Sequence, residues 1–280
     1  LNAGNYTALI KYMGNNNYLE STTNVNFTVS KHNSTTNASI TNITYGVDAI
    51  VNVTVNGLEG TDLSGNVTVT IGGVIAGNGT VNHEGIGNVN LGILDVGNYT
   101  NVEVKYLGNN NYTESNITTQ FHITKANSTI VGTIANITYG ENSTIQVNVT
   151  GVLNEGLNGT VYITVDNKNY TVNLTNGVGS VIVPGLNAGN YTALIKYLGN
   201  DNYLESNTTV NFTVRKHNST TGASIANITY GENATVYVNV TGVNSEGLNG
   251  TVNITVNNET HNVTLINGVG SVVVPGLNAG

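Results

Sequence analysis

Thr144-Ile145-Gln146-Val147-Asn148-Val149 alternates polar and apolar side chains without a break. Successive side chains of a β-strand point to opposite faces, so Ile145, Val147 and Val149 make one oily face and Thr144, Gln146 and Asn148 a polar one. The alternation continues downstream. Val161, Ile163 and Val165 share a face, as do Tyr170, Val172 and Leu174, then Val181 and Val183. Tyr191, Ala193, Ile195 and Tyr197 line the next strand, and Val210, Phe212 and Val214 the last. Turn residues separate the runs at Leu157-Asn158-Gly159, Asn176-Gly177, Pro184-Gly185 and Ala188-Gly189.

With an opening strand near 128–134, the stretch 126–216 holds about seven short antiparallel strands. No segment of useful length has a helical period. Strands with one oily face each bury it by stacking as two sheets. The expected fold is therefore all-β, an immunoglobulin-like β-sandwich. A domain this small buries roughly 60–65% of its unfolded surface and gains from neighbours in an array.

That stretch is one copy of a repeat. Ile-Thr-Tyr-Gly occurs at 43–46, 137–140 and 228–231, at spacings of 94 and 91. Gly-Asn-Tyr-Thr occurs at 4–7, 97–100 and 189–192, at spacings of 93 and 92. Tyr-x-Gly-Asn-x-Asn-Tyr recurs in the same phase at 12–18, 106–112 and 197–203. Tandem Ig-like repeats of about 92 residues, forming an elongated rod, are the expectation. The organisation expected is 1–31 as the last two strands of a preceding repeat, 32–125 and 126–216 as full repeats, and 217–280 as a repeat lacking its last two strands. Leu-Asn-Ala-Gly both opens and closes the chain, three periods of 92 apart. Two organisations follow: a window on a longer polypeptide, or a subunit that polymerises by donor-strand complementation. The window is preferred, because the chain starts mid-repeat with no leader segment.

Composition narrows the function. Eight Lys and Arg against sixteen Asp and Glu leave a net charge of −8. So few cations assemble no patch for a phosphate backbone, which excludes nucleic acid as a partner. There is no Cys, hence no disulfide or thiolate metal site. No apolar run approaches the ~20 residues of a membrane helix.

Gly189-Asn190-Tyr191-Thr192, the following Ile195-Lys196-Tyr197-x-Gly199 and the closing Asn211-Phe212-Thr213-Val214 resemble the Ig-like repeats of adhesin-like surface proteins in methanogenic archaea, which are similar to bacterial Ig-like (Big) domains. The resemblance covers all three copies. It implies a cell-surface, extracellular and non-enzymatic role. The second copy departs at Gly92–Val96, where a differently shaped turn is expected.

The polar strand face carries the candidate sites. About thirty Asn-x-Ser/Thr acceptors occur along the chain. Glycosylation candidates are Asn5, Asn26, Asn42, Asn52, Asn66, Asn98, Asn116, Asn136, Asn148, Asn173, Asn190, Asn211, Asn227, Asn239, Asn253 and Asn262. Where Asn and Thr are i and i+2 of one strand they share the outward face, as at Asn148/Thr150 and Asn173/Thr175. Covalent N-glycans are thus expected. The plain alternative is that Asn and Thr simply serve as the polar half of each strand.

Other constellations are weaker. His32, His83, His122, His217 and His261 have no metal-ligand spacing, and His32 and His217 sit at equivalent inter-repeat positions. Asp201 and Glu205, with Glu141 and Glu232, leave room for a weak junctional calcium site, although no EF-hand-type loop is present. Tyr6, Tyr99 and Tyr191 follow Gly-Asn turns and are expected to cap a corner through the hydroxyl. Tyr18, Tyr112 and Tyr203, on Asn-rich loops, are the ligand-contact candidates, with surface glycans as the ligand. Lys11, Lys105 and Lys196 recur on an outward face, which disfavours isopeptide cross-links that need a buried amine. The expected role is a non-enzymatic structural segment of an extracellular fibre or adhesin stalk. Its partners would be neighbouring repeats or identical chains. A glycan-binding adhesin module is the alternative.

Overall fold

The computed structural model describes Leu1–Asn278; Ala279 and Gly280, at the end of the fourth segment, lie outside the described residues. The chain divides into two compact units, one of Leu1–Thr129, Val149–Gly159 and Tyr197–Ser206, the other of Ile130–Asn148, Thr160–Lys196 and the residues from Asn207 on.

In the first unit, β1 (Gly4–Tyr12) and β2 (Ser21–Val29) form an antiparallel hairpin. Eight strands follow: β3 (Thr35–Ser39), β4 (Ile43–Thr44), β5 (Ile50–Asn56), β6 (Gly65–Ile71), β7 (Val74–Val81), β8 (Ile86–Asn90), β9 (Gly97–Tyr106) and β10 (Ser115–Thr124). They run in the order β3-β5-β8-β7-β6-β9-β10-β4. The β7–β8 step is a single pair, Val81 with Gly87, so the ribbon folds there into two layers. Gly87 permits the fold: a Cβ there would strike the Thr80 carbonyl. Val51, Val53, Val55, Val67, Val69, Val102, Val104 and Tyr106 fill the space between the layers and are fully buried.

The next strands are β11 (Thr129–Ile134), β12 (Ile137–Thr138), β13 (Ser143–Thr150), β14 (Gly159–Val165), β15 (Lys168–Leu174), β16 (Val178–Val183), β17 (Gly189–Tyr197) and β18 (Ser206–Arg215). Their sheets are β11-β13-β16 and β12-β18-β17-β14-β15. The last are β19 (Thr220–Ile225), β20 (Ala234–Thr241), β21 (Gly250–Val256), β22 (Glu259–Leu265) and β23 (Val269–Val274), in sheets β19-β20-β23 and β21-β22. The fold is all-β, with tandem Ig-like sandwiches.

The inward faces are those the alternation assigns. Ile145, Val147 and Val149, then Val161, Ile163 and Val165, then Ala193, Ile195 and Tyr197 are all buried. Two details differ from the sequence reading. The opening strand is two strands, so each full sandwich has eight rather than about seven. The second, β4 or β12, crosses to the other sheet and pairs in parallel, Ile43 with Ile123 and Ile137 with Val214. An Asn fixes each crossing. Asn42 Oδ1 accepts the His122 N–H at 2.9 Å, and Asn136 Oδ1 accepts the Thr213 N–H at 2.7 Å. At the Gly92–Val96 turn the left-handed glycine is kept, Gly92 matching Gly185 and Gly276, but it follows Leu91 instead of a proline.

One buried residue is out of place energetically. Ser143 is 0% exposed, and its hydroxyl has no hydrogen-bond partner among the described residues. The equivalent first core positions of the other copies are Ala49 and Ala234, both buried. A buried hydroxyl without a partner costs about 1–3 kcal/mol. Ser143→Ala is expected to stabilise its sandwich by about 1 kcal/mol, raising the melting temperature by roughly 4–8 °C in differential scanning calorimetry.

Candidate functional site

Three kinds of site recur with the repeat: a polar outer face, a tyrosine corner and a loop-tip tyrosine in a socket. The outer face follows from strand geometry. All sixteen candidate Asn side chains belong to exposed residues, from Asn5 to Asn262.

Antiparallel pairing adds an arrangement the linear sequence does not display. When two Asn-x-Thr motifs face each other on antiparallel strands in register, each Asn stands opposite the other's Thr. This happens between β1 and β2: Thr7 Oγ1 donates to Asn26 Oδ1 at 2.7 Å, and Thr28 Oγ1 to Asn5 Oδ1 at 2.8 Å. It recurs on β17 and β18, where Thr192 donates to Asn211 at 2.7 Å and Thr213 to Asn190 at 2.9 Å. The same register sets Asn66 opposite Thr80 and Thr68 opposite Asn78, and Asn37 opposite Thr54 and Ser39 opposite Asn52. Each hydroxyl–amide rung contributes on the order of 0.2–1 kcal/mol. At Asn5, Asn26, Asn190 and Asn211 these bonds engage Oδ1. At Asn116 the nitrogen itself is engaged: Nδ2 donates to Glu103 at 2.6 Å.

The tyrosine corners form as expected. Tyr6, Tyr99 and Tyr191 donate to the carbonyls of Asn2, Asp95 and Asn187 at 2.7, 2.8 and 2.9 Å. Each ring stacks on a Phe of the partner strand, Phe27, Phe121 or Phe212.

The loop-tip tyrosines behave differently from the exposed-loop reading. Tyr112 and Tyr203 are each 2% exposed, leaving no ring face for a sugar, whereas Tyr18 is 70% exposed. Tyr112 enters a socket made by 57–63, where its hydroxyl accepts the Leu58 N–H at 2.9 Å and bonds Thr61 Oγ1. Tyr203 enters the equivalent loop, accepting from the Val152 N–H at 3.3 Å and donating to Glu155 Oε1. Glycine makes both fits possible, because a Cβ at Gly57 or Gly151 would collide with the tyrosine ring or hydroxyl. The sequence carries a signal for this: Gly57 and Gly151 each follow the strand that ends in the socket loop.

The neighbouring Asn clamps the segment before it. Asn111 Oδ1 accepts from the Ala3 N–H at 2.9 Å, and its Nδ2 donates to Asn2 at 3.1 Å. Asn202 Oδ1 accepts from the Val96 N–H at 3.0 Å, and its Nδ2 donates to Asp95 at 2.9 Å. Tyr45 also meets Tyr203 edge to face at 5.3 Å.

The remaining candidates make ordinary surface contacts. Lys11 and Lys105 pair with Glu20 and Glu114 at 2.8 and 2.9 Å on the outer face. His32 and His217 each contact the next backbone carbonyl through Nδ1, at 2.8 and 2.7 Å. Among the described residues no group of three or more His, Asp or Glu could hold a metal ion.

No family model matches the chain, and no curated protein matches it in sequence. Similar solved structures are Ig-like and fibronectin-III-like. Domains A168–A170 of titin share 13% identity over 86% of this chain and 88% of that one, with a TM-score of 0.41. The Escherichia coli adhesin FdeC shares 12% over 87% of each chain, with a TM-score of 0.32. Domains 1–6 of the surface layer protein SbsC share 12% over 98% of this chain and 53% of that one, with a TM-score of 0.31.

Burial raises the phenol pKa of Tyr99, Tyr106, Tyr197 and Tyr203 above 10.0, and at Tyr203 the Glu155 hydrogen bond adds to it. Above pH 10 an unfolded chain releases protons that the folded chain keeps, so stability falls with pH. These phenols contribute their full stabilisation below pH 10, and it is lost as pH climbs from there toward their folded values. Denaturant midpoints are expected to drop steadily above pH 10. Ultraviolet absorption should show these four ionising at higher pH in the folded chain than in the unfolded one.

Proposed function

We propose that the chain is a structural segment of an extracellular, cell-surface fibre or adhesin stalk, built of Ig-like repeats joined head to tail and carrying N-glycans, without enzymatic activity. In this reading 1–31 closes a preceding repeat, 32–125 and 126–216 are complete, and 217–280 opens the next. The observation that carries the reading is the repeated junction clamp. Asn111 and Asn202 make the same pair of hydrogen bonds to the segment before them. A junction made twice with one geometry suits a mechanical spacer, whose task is to transmit position and load from repeat to repeat. The surface left over is amide and hydroxyl, as a glycan-bearing spacer needs.

Single-molecule stretching tests the spacer. Unfolding a repeat of about 92 residues releases a contour of about 300 Å, at roughly 3.3–3.6 Å per residue. A regular sawtooth with that increment is expected, and a single irregular release would overturn the reading. Glycopeptide mapping of material from the native source tests the coat. Occupancy is expected at Asn5, Asn26, Asn190 and Asn211, with lower occupancy at Asn116, whose nitrogen is held by Glu103. Unmodified peptides throughout would remove the glycans from the proposal.

A further inference from the structure

A groove on the outward face of one sheet, turned away from the core, belongs to none of the sites above. In the last copy it runs across β19, β20 and β23, is lined by Gly222, Ser224, Tyr237, Asn239 and Val269, and holds about 330 Å³. The complete middle copy has the same groove, of about 370 Å³, with Val131, Thr133, Gln146, Asn148 and Val178 at the matching positions 91 residues earlier. Both lie at the small end of ligand clefts. Each holds an Asn-Val-Thr acceptor, Asn148-Val149-Thr150 in one and Asn239-Val240-Thr241 in the other.

Register places the groups of the last copy. Asn239 stands opposite Gly222 on β19 and opposite Val269 on β23. Tyr237, two residues away on the same face, stands opposite Ser224 and Ser271. Two serines are too short to cover a phenol ring, and Tyr237 is 58% exposed. Gly222 leaves a gap beside the Asn239 amide. The backbone does not require glycine there: its φ lies outside the left-handed region, and a Cβ would meet only the Asn239 carbonyl oxygen, at an ordinary 3.9 Å. Glycine inside a strand weakens it and often marks a place where another group approaches closely. Threonine hydroxyls hold Oδ1 of Asn190 and Asn211. The Asn239 side chain makes no hydrogen bond among the described residues, so its amide is free to aim a substituent.

We infer that the first sugar on Asn239 lies back in this groove, with its apolar C–H face on the Tyr237 ring and its edge in the gap over Gly222, against Val269. The inference rests on the glycan reading above. Attachment forms a bond from Nδ2 to the sugar C1 and breaks the C1–O bond of a glycosyl phosphate donor; the phosphate leaves, and one Nδ2 proton passes to solvent. Asn239 and Tyr237 are about 7 Å apart along the strand, within reach of one pyranose. The covalent link has already removed the sugar's translational freedom, so covering one aromatic face is enough to hold it. In the middle groove Gln146 replaces the ring and Val131 fills the gap. The sugar on Asn148 has no platform there and stays in solvent.

Nitration with tetranitromethane reads the cover on the ring. The full chain is made in a host that N-glycosylates Asn-x-Thr, with Asn233→Gln removing a neighbouring acceptor. Cleavage after Glu232 and Glu246 gives one peptide holding both Tyr237 and Asn239, so a mass spectrum reads sugar and nitro group in the same molecule. Tyr237 is expected to nitrate roughly tenfold slower where Asn239 carries sugar, because only a seat open about a tenth of the time uncovers the ring. Trimming the glycan to its first sugar with an endoglycosidase should leave that protection in place. Gly222→Val, which installs the residue of the middle copy, should abolish it without lowering occupancy. Equal nitration with and without sugar, protection lost on trimming, protection that survives Gly222→Val, or an Asn239 left bare while other acceptors are occupied would each overturn this inference and leave the glycan coat standing. Unmodified peptides throughout, here and in native material, would overturn both.

Discussion

A sheet with one oily face is unstable until something covers it, and every level of this molecule answers that constraint. Within the complete sandwiches the cover is the opposite sheet, and Val, Ile and Tyr side chains disappear between the layers. On the β1–β2 hairpin, which pairs with no other strand among the described residues, the same residue types stand in the open. The contrast between Ile195 and Ile10, one sequence in two settings, shows that burial here is decided by the neighbour and not by the strand.

The polar half of the design follows from having little charge. With 9% charged residues, the outer faces carry few ion pairs, such as Lys11–Glu20 and Lys105–Glu114. Amides and hydroxyls take that role, and antiparallel register turns a directional three-residue motif into a self-complementary one. The Asn5–Thr28 and Asn26–Thr7 rungs close because the strands run in opposite senses. One set of residues thus serves as cross-strand glue through Oδ1.

Most strands are legible in the sequence because alternation is a local signal. Their inward faces need no knowledge of the partner sheet: Ile145, Val147 and Val149 sit inward as their spacing requires. The two-residue strands β4 and β12 are not legible, since two residues have no period. What places them is the parallel pairing with β10 and β18, about eighty residues away in sequence. Tyr112 and Tyr203 read as exposed for a similar reason. Their Asn-rich loops look like solvent-facing tips, and the loops that bury them, around Gly57 and Gly151, lie about fifty residues earlier. The tyrosine corners are legible because donor and acceptor are four residues apart.

The junction clamp has an environmental consequence. Salt shortens the reach of charges, but it has little hold on a bond from one amide to another or to a backbone N–H. The contacts of Asn111 with Asn2 and Ala3 contain no ion at all. A seam joined this way holds in fresh water and in brine alike, whereas the Asn202 clamp, whose Nδ2 donates to the Asp95 carboxylate, is the one that a salty medium loosens.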